Sequence, residues 1–133
     1  MKKIFSLLLL AMLLISCQKA EVETFTLYYS SSNLAADPNS CNEVFGVERL
    51  FVEDYESDEE KLELVISELL KGPTFFEESD GGYSSFFSID TKDYLSGVEL
   101  KGKTAYVDFK DFRQLISSAS SSCGSSQLLS QLD

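Results

Sequence analysis

The stretch SDEEKLELVISELLKGPT, residues 57–74, decides the fold class of this chain. Ser57 and Glu60 form the S-x-x-E arrangement that caps a helix N-terminus, and acidic residues fill the first turn. Gly72-Pro73 ends the pattern. The stretch therefore predicts an amphipathic helix over residues 58–71, whose apolar face needs a sheet to cover. The residues of that face recur at helical spacing and are Leu62, Val65, Ile66, Leu69 and Leu70.

Strand patterns lie on both sides of this helix. Before it, TFTLYYS (24–30) and EVFGVERLFV (43–52) are rich in β-forming residues, and Gly46 marks a bulge or a close approach of backbones. After it, GVELKGKTAYVDF (97–109) alternates on both sides of Lys101-Gly102 and predicts a hairpin that turns there.

The rest of the chain is less regular. Residues 75–95 are too aromatic for a free linker and too irregular for a regular element, whereas DFRQLISSA (111–119) and SSCGSSQLLSQLD (121–133) suggest two short helices. Strands grouped around helices without strict βαβ alternation predict an α+β fold. We expect a small, mostly antiparallel sheet packed against one main amphipathic helix, with one or two short C-terminal helices.

The N-terminal segment MKKIFSLLLLAMLLISC, residues 1–17, predicts export. Two lysines precede an apolar run that is too short for a bilayer, which needs about 20 residues, and matches the core of a secretory signal. Leu14-Ile15-Ser16-Cys17 resembles the bacterial lipobox, which implies cleavage before Cys17 and attachment of diacylglycerol to its thiol, with acyl chains such as palmitate. An ordinary signal that happens to contain a cysteine is the alternative. The predicted organisation is a signal peptide over 1–16, a lipid anchor and tether over 17–23, and a domain over 24–133.

Composition excludes several functions. The formal net charge is −11, and removal of Lys2 and Lys3 with the signal makes it −13, which argues against nucleic acid and against adhesion to anionic headgroups. The chain has no histidine, so the commonest general base and metal ligand are missing. The serines are therefore poor candidates for a Ser-His-Asp site, and we expect no catalytic residue, metal site or cofactor.

The remaining cysteines, Cys41 and Cys123, form an even pair in an exported chain, where oxidation is permitted. A disulfide between them is the favoured interpretation, and two separate buried thiols are the alternative. Such a bridge would stabilise the chain by about 4 to 5 kcal/mol in the chain-entropy model if it is unstrained.

The order of motifs resembles one family, the GerMN domain of the sporulation and spore germination type, over about residues 24–133. The resembling pieces are LYY (27–29), VER (47–49), ELLKGPT (68–74), Glu77, GGYSSFF (81–87), AYVDF (105–109) and SSCGSS (121–126).

The resemblance implies a non-catalytic module in bacterial envelope assemblies, with no established catalytic residues to carry over. Two features depart from the family pattern. SIDTKDYL (88–95) replaces a segment that usually carries a proline and a "gt" turn. The family domain usually continues past residues 131–133 into a final strand, so we expect the domain to be C-terminally incomplete.

Two acidic groups invite a functional interpretation. Asp108 and Asp111 resemble paired carboxylates for acid-base work or calcium, but a strand end followed by a capping aspartate explains them more simply. The segment Glu77 to Gly82 offers carboxylates without the alternating spacing of a calcium loop, so a solvated loop is the simpler interpretation. A third candidate is the aromatic run of Phe75, Phe76, Tyr83, Phe86 and Phe87. These rings could form a surface that stacks on a sugar or a peptide. A domain this small, however, needs most of its aromatic rings in its core.

The sequence therefore predicts a lipid-anchored protein on the extracytoplasmic side of a bacterial membrane. We expect a binding or scaffolding module whose partner is an envelope protein or the cell-wall polymer, with no nucleic-acid partner. A carboxylate-dependent enzyme acting on cell-wall glycans and a degenerate fragment are the alternatives.

Overall fold

The computed structural model describes residues 22–37, 39–51 and 55–132. The predicted signal peptide, Cys17 and most of the tether lie outside these residues. The described elements confirm the predicted α+β class. In chain order they are β1 (Glu23–Ser31), β2 (Phe45–Phe51), α1 (Asp58–Leu70), α2 (Phe75–Gly81), β3 (Tyr83–Ser84), β4 (Leu95–Lys101), β5 (Thr104–Phe109), a 3₁₀ helix (Ser117–Ser120) and α3 (Ser122–Leu132).

The described strands form two antiparallel sheets. In the first, with strand order β2-β1-β3, β1 pairs with β2 from Glu23 opposite Phe51 to Tyr29 opposite Phe45. β3 adds only two pairs, at Ser30 and Ser31 of β1. The second sheet is the predicted hairpin of β4 and β5. Its two-residue turn is Gly102-Lys103, one position later than predicted, and Gly102 supplies a positive φ of 66° there.

Helix α1 forms where the capping and periodicity signals predicted it. The Ser57 hydroxyl accepts a hydrogen bond from the amide of Glu60 at 3.2 Å. The Glu60 carboxylate accepts from the amide of Glu56 instead of returning to Ser57, so the capping box is only half formed. The helix ends at Leu70, with Lys71 as its C-cap. Gly72 then takes a φ of 75°, which favours glycine.

The core lies between α1 and the two sheets, because α1 packs on both β4 and β1. The alternation predicted for β1 places Leu27 and Tyr29 inside and Tyr28 outside. Thr91 is buried and donates a hydrogen bond from its hydroxyl to the Leu70 carbonyl at 2.6 Å, which satisfies a carbonyl at the open end of α1. The buried cluster is Leu27, Tyr29, Ile66, Leu69, Leu70 and Phe87.

Two local expectations are revised by the structure, and a third, which left two alternatives open, is decided. Residues 75–81 form helix α2, so the prediction that this segment has no regular element was wrong. Residues 113–116 form turns and lead into the 3₁₀ helix, so the α-helix suggested over 111–119 does not form. The hydroxyls of Ser120 and Ser121, just after it, hydrogen-bond the carbonyls of Ser117 and Ser118 and compete with helical pairing. Gly46 lies opposite Tyr28 in regular register, and an added Cβ would lie 2.8 Å from the Thr26 methyl. Gly46 therefore marks a close approach and not a bulge.

Cys41 and Cys123 are joined by a disulfide in the structure, the pair that the sequence predicted. Their Cα atoms are 5.1 Å apart, within the usual range, and 82 positions separate them in the chain. The bridge ties the loop after β1 to the first turn of α3. Nearby, Gln127 of α3 donates a hydrogen bond to Ser30 of β1 at 2.7 Å, so α3 is held to the first sheet at two points.

Candidate functional site: an arginine cluster that braces an exposed aromatic pair

Arg49 is a charged residue on the core-facing side of β2. It lies opposite Phe25 in the strand register and on the same face as Val47 and Phe51. Only 14% of its side chain is exposed. A guanidinium placed there must be hydrogen-bonded, because a buried charge without partners is strongly destabilising.

The partners of Arg49 come from the two helices and the turn between them. Its Nη2 lies 2.7 Å from Glu77 Oε2, and its Nε lies 3.4 Å from Glu77 Oε1, a forked arrangement of two donors on one carboxylate. Nη2 also donates to the Gly72 carbonyl at 3.1 Å, and Nη1 approaches Glu68 Oε2 at 3.4 Å. We call Arg49, Glu68, Gly72, Glu77 and Tyr29, described next, the Arg49 cluster.

Tyr29 lies against this cluster from the core side. The Arg49 Cζ atom is 5.8 Å from the centre of the Tyr29 ring, within range of a cation–π contact. The phenol is fully buried, and its hydroxyl has no hydrogen-bond partner among the described residues. Burial raises the pKa of Tyr29 well above its usual value, so the ring stays neutral beneath the guanidinium.

Electrostatics keep both members of the main ion pair charged. Burial alone would raise the pKa of Glu77, but hydrogen bonds from Arg49 and from the amide of Thr74 hold that pKa below its ordinary value. Burial likewise works to lower the pKa of Arg49, but the hydrogen bond to Glu77 and the neighbouring charges of Glu77 and Glu68 together raise it above its ordinary value. A carboxylate with a lowered pKa is a poor general acid near neutral pH, so Glu77 is suited to holding structure.

Glu77 has a second role at the start of α2. Its Oε2 accepts the amide of Thr74 at 2.5 Å, and the Thr74 hydroxyl accepts the amide of Glu77 at 3.3 Å, which completes a capping box. At the other end, Gly82 caps the helix with a φ of 60°. The carboxylate that neutralises Arg49 therefore also fixes the first turn of α2.

That first turn presents two exposed rings, Phe75 and Phe76, which we call the aromatic pair. The side chains are 75% and 74% exposed, and the ring centres lie 5.9 Å apart in an edge-to-face arrangement. Ile89, also exposed, lies in the segment that follows Phe87. The other aromatic residues of the run behave as predicted for core: Phe87 is buried, and Tyr83 and Phe86 are partly buried.

A shallow groove lies beside the Arg49 cluster, where Lys71 and Pro73 on one side meet Ser88 and Ile89 on the other. Gly72 sits at its base against Phe87, and a methyl group added to Gly72 would overlap the Phe87 carbonyl. This contact fixes the turn between α1 and α2 to the segment after β3. The groove, the Arg49 cluster and the aromatic pair together form the candidate site.

The other sequence-derived candidates lie elsewhere. Asp108 is exposed on β5. Asp111 accepts hydrogen bonds from the Arg113 side chain at 2.9 and 2.7 Å and from its amide at 3.1 Å, and these bonds lower the pKa of Asp111 to about 2. Within the described ranges, no group of three or more His, Cys, Asp or Glu side chains is placed to hold a metal ion.

Sequence analysis missed both Arg49 and helix α2, although signals for each were present. Alternation along β2 puts Arg49 in line with Val47 and Phe51, which marks it as a charge facing the core. Thr74 and Glu77 have the same T-x-x-E spacing that was recognised at Ser57. Phe75 and Phe76 lie between these two residues, and the segment was interpreted as irregular because it is aromatic.

The fold and site define a small, disulfide-bonded α+β domain organised around a partly buried arginine. A model of the Germane family, described as sporulation and spore germination, matches residues 26–132, and the chain belongs to this family. Comparisons with curated proteins and with solved structures found no significant match. No helix among the described residues has the length and hydropathy needed to cross a membrane.

Proposed function

We propose that the protein is a lipid-anchored, non-catalytic binding module of the bacterial cell envelope. It is tethered through Cys17 on the extracytoplasmic side of the membrane and docks an envelope protein through the aromatic pair. The cell-wall polymer is the alternative ligand. The observation that carries the proposal is the exposure of Phe75 and Phe76 on a helix that the Arg49 cluster holds rigidly.

Exposed aromatic rings are the usual anchors of protein interfaces, since each buries a large apolar area at a low cost in side-chain entropy. Two adjacent rings on a braced helix are preorganised, which reduces the entropy lost on binding. Glu78 and Asp80 are exposed on the same helix. A partner with an apolar pocket and a basic rim would match this surface.

The anchor follows from the predicted lipobox at residues 14–17. Two or three acyl chains are enough for stable attachment, and a net charge of −13 after processing would keep the domain away from anionic headgroups. Family membership supports a role in envelope processes of the sporulation and germination type.

The enzyme alternative draws little support from the carboxylates. Asp111 is bound to Arg113, and Glu77 is bound to Arg49, so neither has the raised pKa of a general acid. A binding role does not require a carboxyl group with a raised pKa.

In-cell crosslinking of the tagged full-length protein, followed by membrane solubilisation and mass spectrometry, tests the proposal. We expect an envelope protein to co-purify with the wild type and to be lost from the Phe75→Ala/Phe76→Ala variant. Leu50→Ala is the matched control, because Leu50 is 69% exposed on β2 and outside the candidate site. Partner capture that survives loss of both rings would refute docking through the aromatic pair.

Cys17→Ala tests the anchor separately. We expect the variant to move from the membrane to the soluble fraction, or to keep an uncleaved signal, and to lose the partner. Unchanged membrane retention of a normally processed variant would refute lipid attachment.

A further inference from the structure

A polar pocket lies between the loop after β1 and the first half of α3. Its volume is about 430 Å³, within the range of about 300 to 1,000 Å³ for ligand pockets. Five serines line it, together with Asn39, Gln127 and the carboxylate of Glu43. It shares no lining residue with the groove beside the aromatic pair, so it is a second candidate site.

Two contacts hold the walls of this pocket in place. The disulfide joins the loop at Cys41 to Cys123 in the pocket wall. Within the loop, Glu43 Oε2 accepts a hydrogen bond from the amide of Ala36 at 3.2 Å. The lining groups are therefore positioned before a ligand arrives, which lowers the entropy lost on binding.

The lining keeps hydrogen-bonding capacity for a ligand. Gln127 Nε2 donates to the Ser30 hydroxyl at 2.7 Å, which leaves the Ser30 proton and Gln127 Oε1 for other partners. Ser84 adds an exposed hydroxyl on β3. Glu43 uses Oε2 within the loop, which leaves Oε1 for a second bond, and it forms no salt bridge within the described ranges.

The composition of the lining selects a cationic, polar ligand. Among the described residues that line the pocket there is one carboxylate and no lysine or arginine, in a chain with a net charge of −11. Such a surface attracts cations and repels anions. Ala35 and the disulfide are the only apolar groups of the described lining, so an apolar ligand would bury little area against them.

We propose that this pocket binds an amino sugar whose amine is free and protonated. The ammonium group donates a charge-assisted hydrogen bond to Glu43, and the Gln127 carbonyl accepts a further one. The ring hydroxyls exchange hydrogen bonds with Ser30 and Ser84, because a hydroxyl both donates and accepts. A divalent metal ion would need more carboxylates than Glu43 alone supplies.

Binding of a labelled oligosaccharide to the full-length protein in phosphatidylcholine nanodiscs tests the proposal. The probe is a fluorescein-labelled glucosamine trimer, and its anisotropy is measured at a pH that keeps the amines protonated, with empty nanodiscs as background. The first control is the labelled N-acetylglucosamine trimer, which has the same backbone without the charge. The second is a labelled peptide of alternating lysine and serine, which carries the charge and the hydroxyls on another scaffold. We expect both controls to bind about tenfold more weakly than the probe, or not at all.

A first pair of variants tests the charge of Glu43. Glu43→Gln removes the charge and keeps an oxygen that can accept the Ala36 amide. Glu48→Gln is the matched control, because it makes the same change of charge at an exposed position of β2 outside the pocket. We expect Glu43→Gln to weaken binding about fivefold relative to Glu48→Gln, the effect of one charge-assisted hydrogen bond at a partly exposed site.

A second pair of variants tests the shape of the pocket without changing its charge. Ala35 lines the pocket and is half-buried, so Ala35→Leu fills part of the volume. Ala36→Leu is the matched control, because Ala36 is exposed and outside the lining. We expect Ala35→Leu to abolish binding and Ala36→Leu to retain it. Circular dichroism verifies the fold of each variant, and non-reducing electrophoresis verifies the disulfide.

Several results would overturn the proposal. These are no binding of the glucosamine trimer, equal binding of the N-acetylated trimer, and equal binding to the two members of either variant pair. Binding of the lysine peptide as tight as that of the probe would show that charge alone is recognised and would also overturn it. Phe75→Ala/Phe76→Ala should leave sugar binding unchanged, and Glu43→Gln should leave capture of the envelope protein unchanged. This proposal and the docking role of the aromatic pair therefore fail independently.

Discussion

The Arg49 guanidinium and the Glu77 carboxylate face each other across 28 residues of chain, with Nη2 and Oε2 2.7 Å apart. This single pair neutralises a charge on the core side of β2 and supplies the carboxylate that caps α2. Packing of the first sheet and presentation of the aromatic pair are thereby coupled. The predictions that follow probe this coupling and the covalent and backbone features around it.

Replacing Arg49 with methionine should lower the free energy of unfolding by about 2 kcal/mol, because Glu77 and Glu68 lose their counter-charge while partly buried. That figure is below the range for fully buried pairs, since these side chains keep some contact with water. Urea unfolding measures it. Arg113→Met, which breaks the exposed pair with Asp111, should change the same quantity by less than about 0.5 kcal/mol. Equal effects of the two substitutions would contradict a structural role for the Arg49 cluster.

Acid should weaken the domain in part through Glu77. Its pKa in the folded state is below the ordinary value of 4.5, so the unfolded chain binds more protons in that interval. The resulting stability is fully present above about pH 4.5 and is lost as the pH falls through the folded-state pKa. Glu77→Gln should therefore flatten the pH dependence of the unfolding free energy as the pH falls below the ordinary carboxyl pKa of 4.5. Asp111→Asn is the control, because the pKa of this exposed carboxyl is also lowered, to about 2, but by Arg113 and away from the Arg49 cluster. An unchanged profile for Glu77→Gln would contradict the assignment.

Gly72→Ala should be among the most damaging small substitutions. The residue has a φ of 75°, and an added methyl would meet the Phe87 carbonyl. We expect a loss of more than about 2 kcal/mol in urea unfolding. Gly102→Ala has a similar φ of 66° but open space around the position, so it should lose only the backbone contribution of about 1 kcal/mol. Similar losses at both glycines would show that the contact with Phe87 is unimportant.

The disulfide should protect both cysteines and stabilise the fold. Thiol labelling of the unfolded chain without reductant should modify neither Cys41 nor Cys123, and labelling after reduction should modify both. Cys41→Ser/Cys123→Ser should lower the free energy of unfolding by about 4 to 5 kcal/mol, the chain-entropy value for a loop of this length in the unfolded chain. Stoichiometric labelling of both residues before reduction would argue for two separate thiols.

Sequence patterns were informative where one local signal decided the structure. The stripe from Leu62 to Leu70 specified α1, alternation from Ala105 to Phe109 specified β5, and the compartment suggested the disulfide. The family resemblance was also correct, and its motifs prove to be neighbours in space. The Arg49 cluster takes one or two residues from each of four motifs: Tyr29 from LYY, Arg49 from VER, Glu68 and Gly72 from ELLKGPT, and Glu77.

What the sequence left open depends on contacts between distant segments. Arg49 could be read as an exposed strand residue until its alternation with Val47 and Phe51 was matched to the core face. Phe75 and Phe76 could be interpreted as core residues, because hydrophobicity alone does not determine which rings are buried and which are exposed. Phe87, only eleven positions after Phe76, is buried because Gly72 and Phe112 meet it there. The predicted C-terminal incompleteness of the domain stays a prediction.

The bridge between Cys41 and Cys123 also determines how the molecule would respond to a protease. A single cut in the exposed turn around Asp90 would open the ring of residues 41–123 but leave both pieces joined through the disulfide, and they would separate on a gel only after reduction. β1 lies outside that ring, although it supplies Leu27 and Tyr29 to the core. One cut among the exposed residues 32–34 would therefore detach the central strand of the first sheet from everything the ring retains. A cut in this short loop therefore has a consequence that the disulfide does not prevent, whereas a cut between residues 41 and 123 leaves the pieces joined.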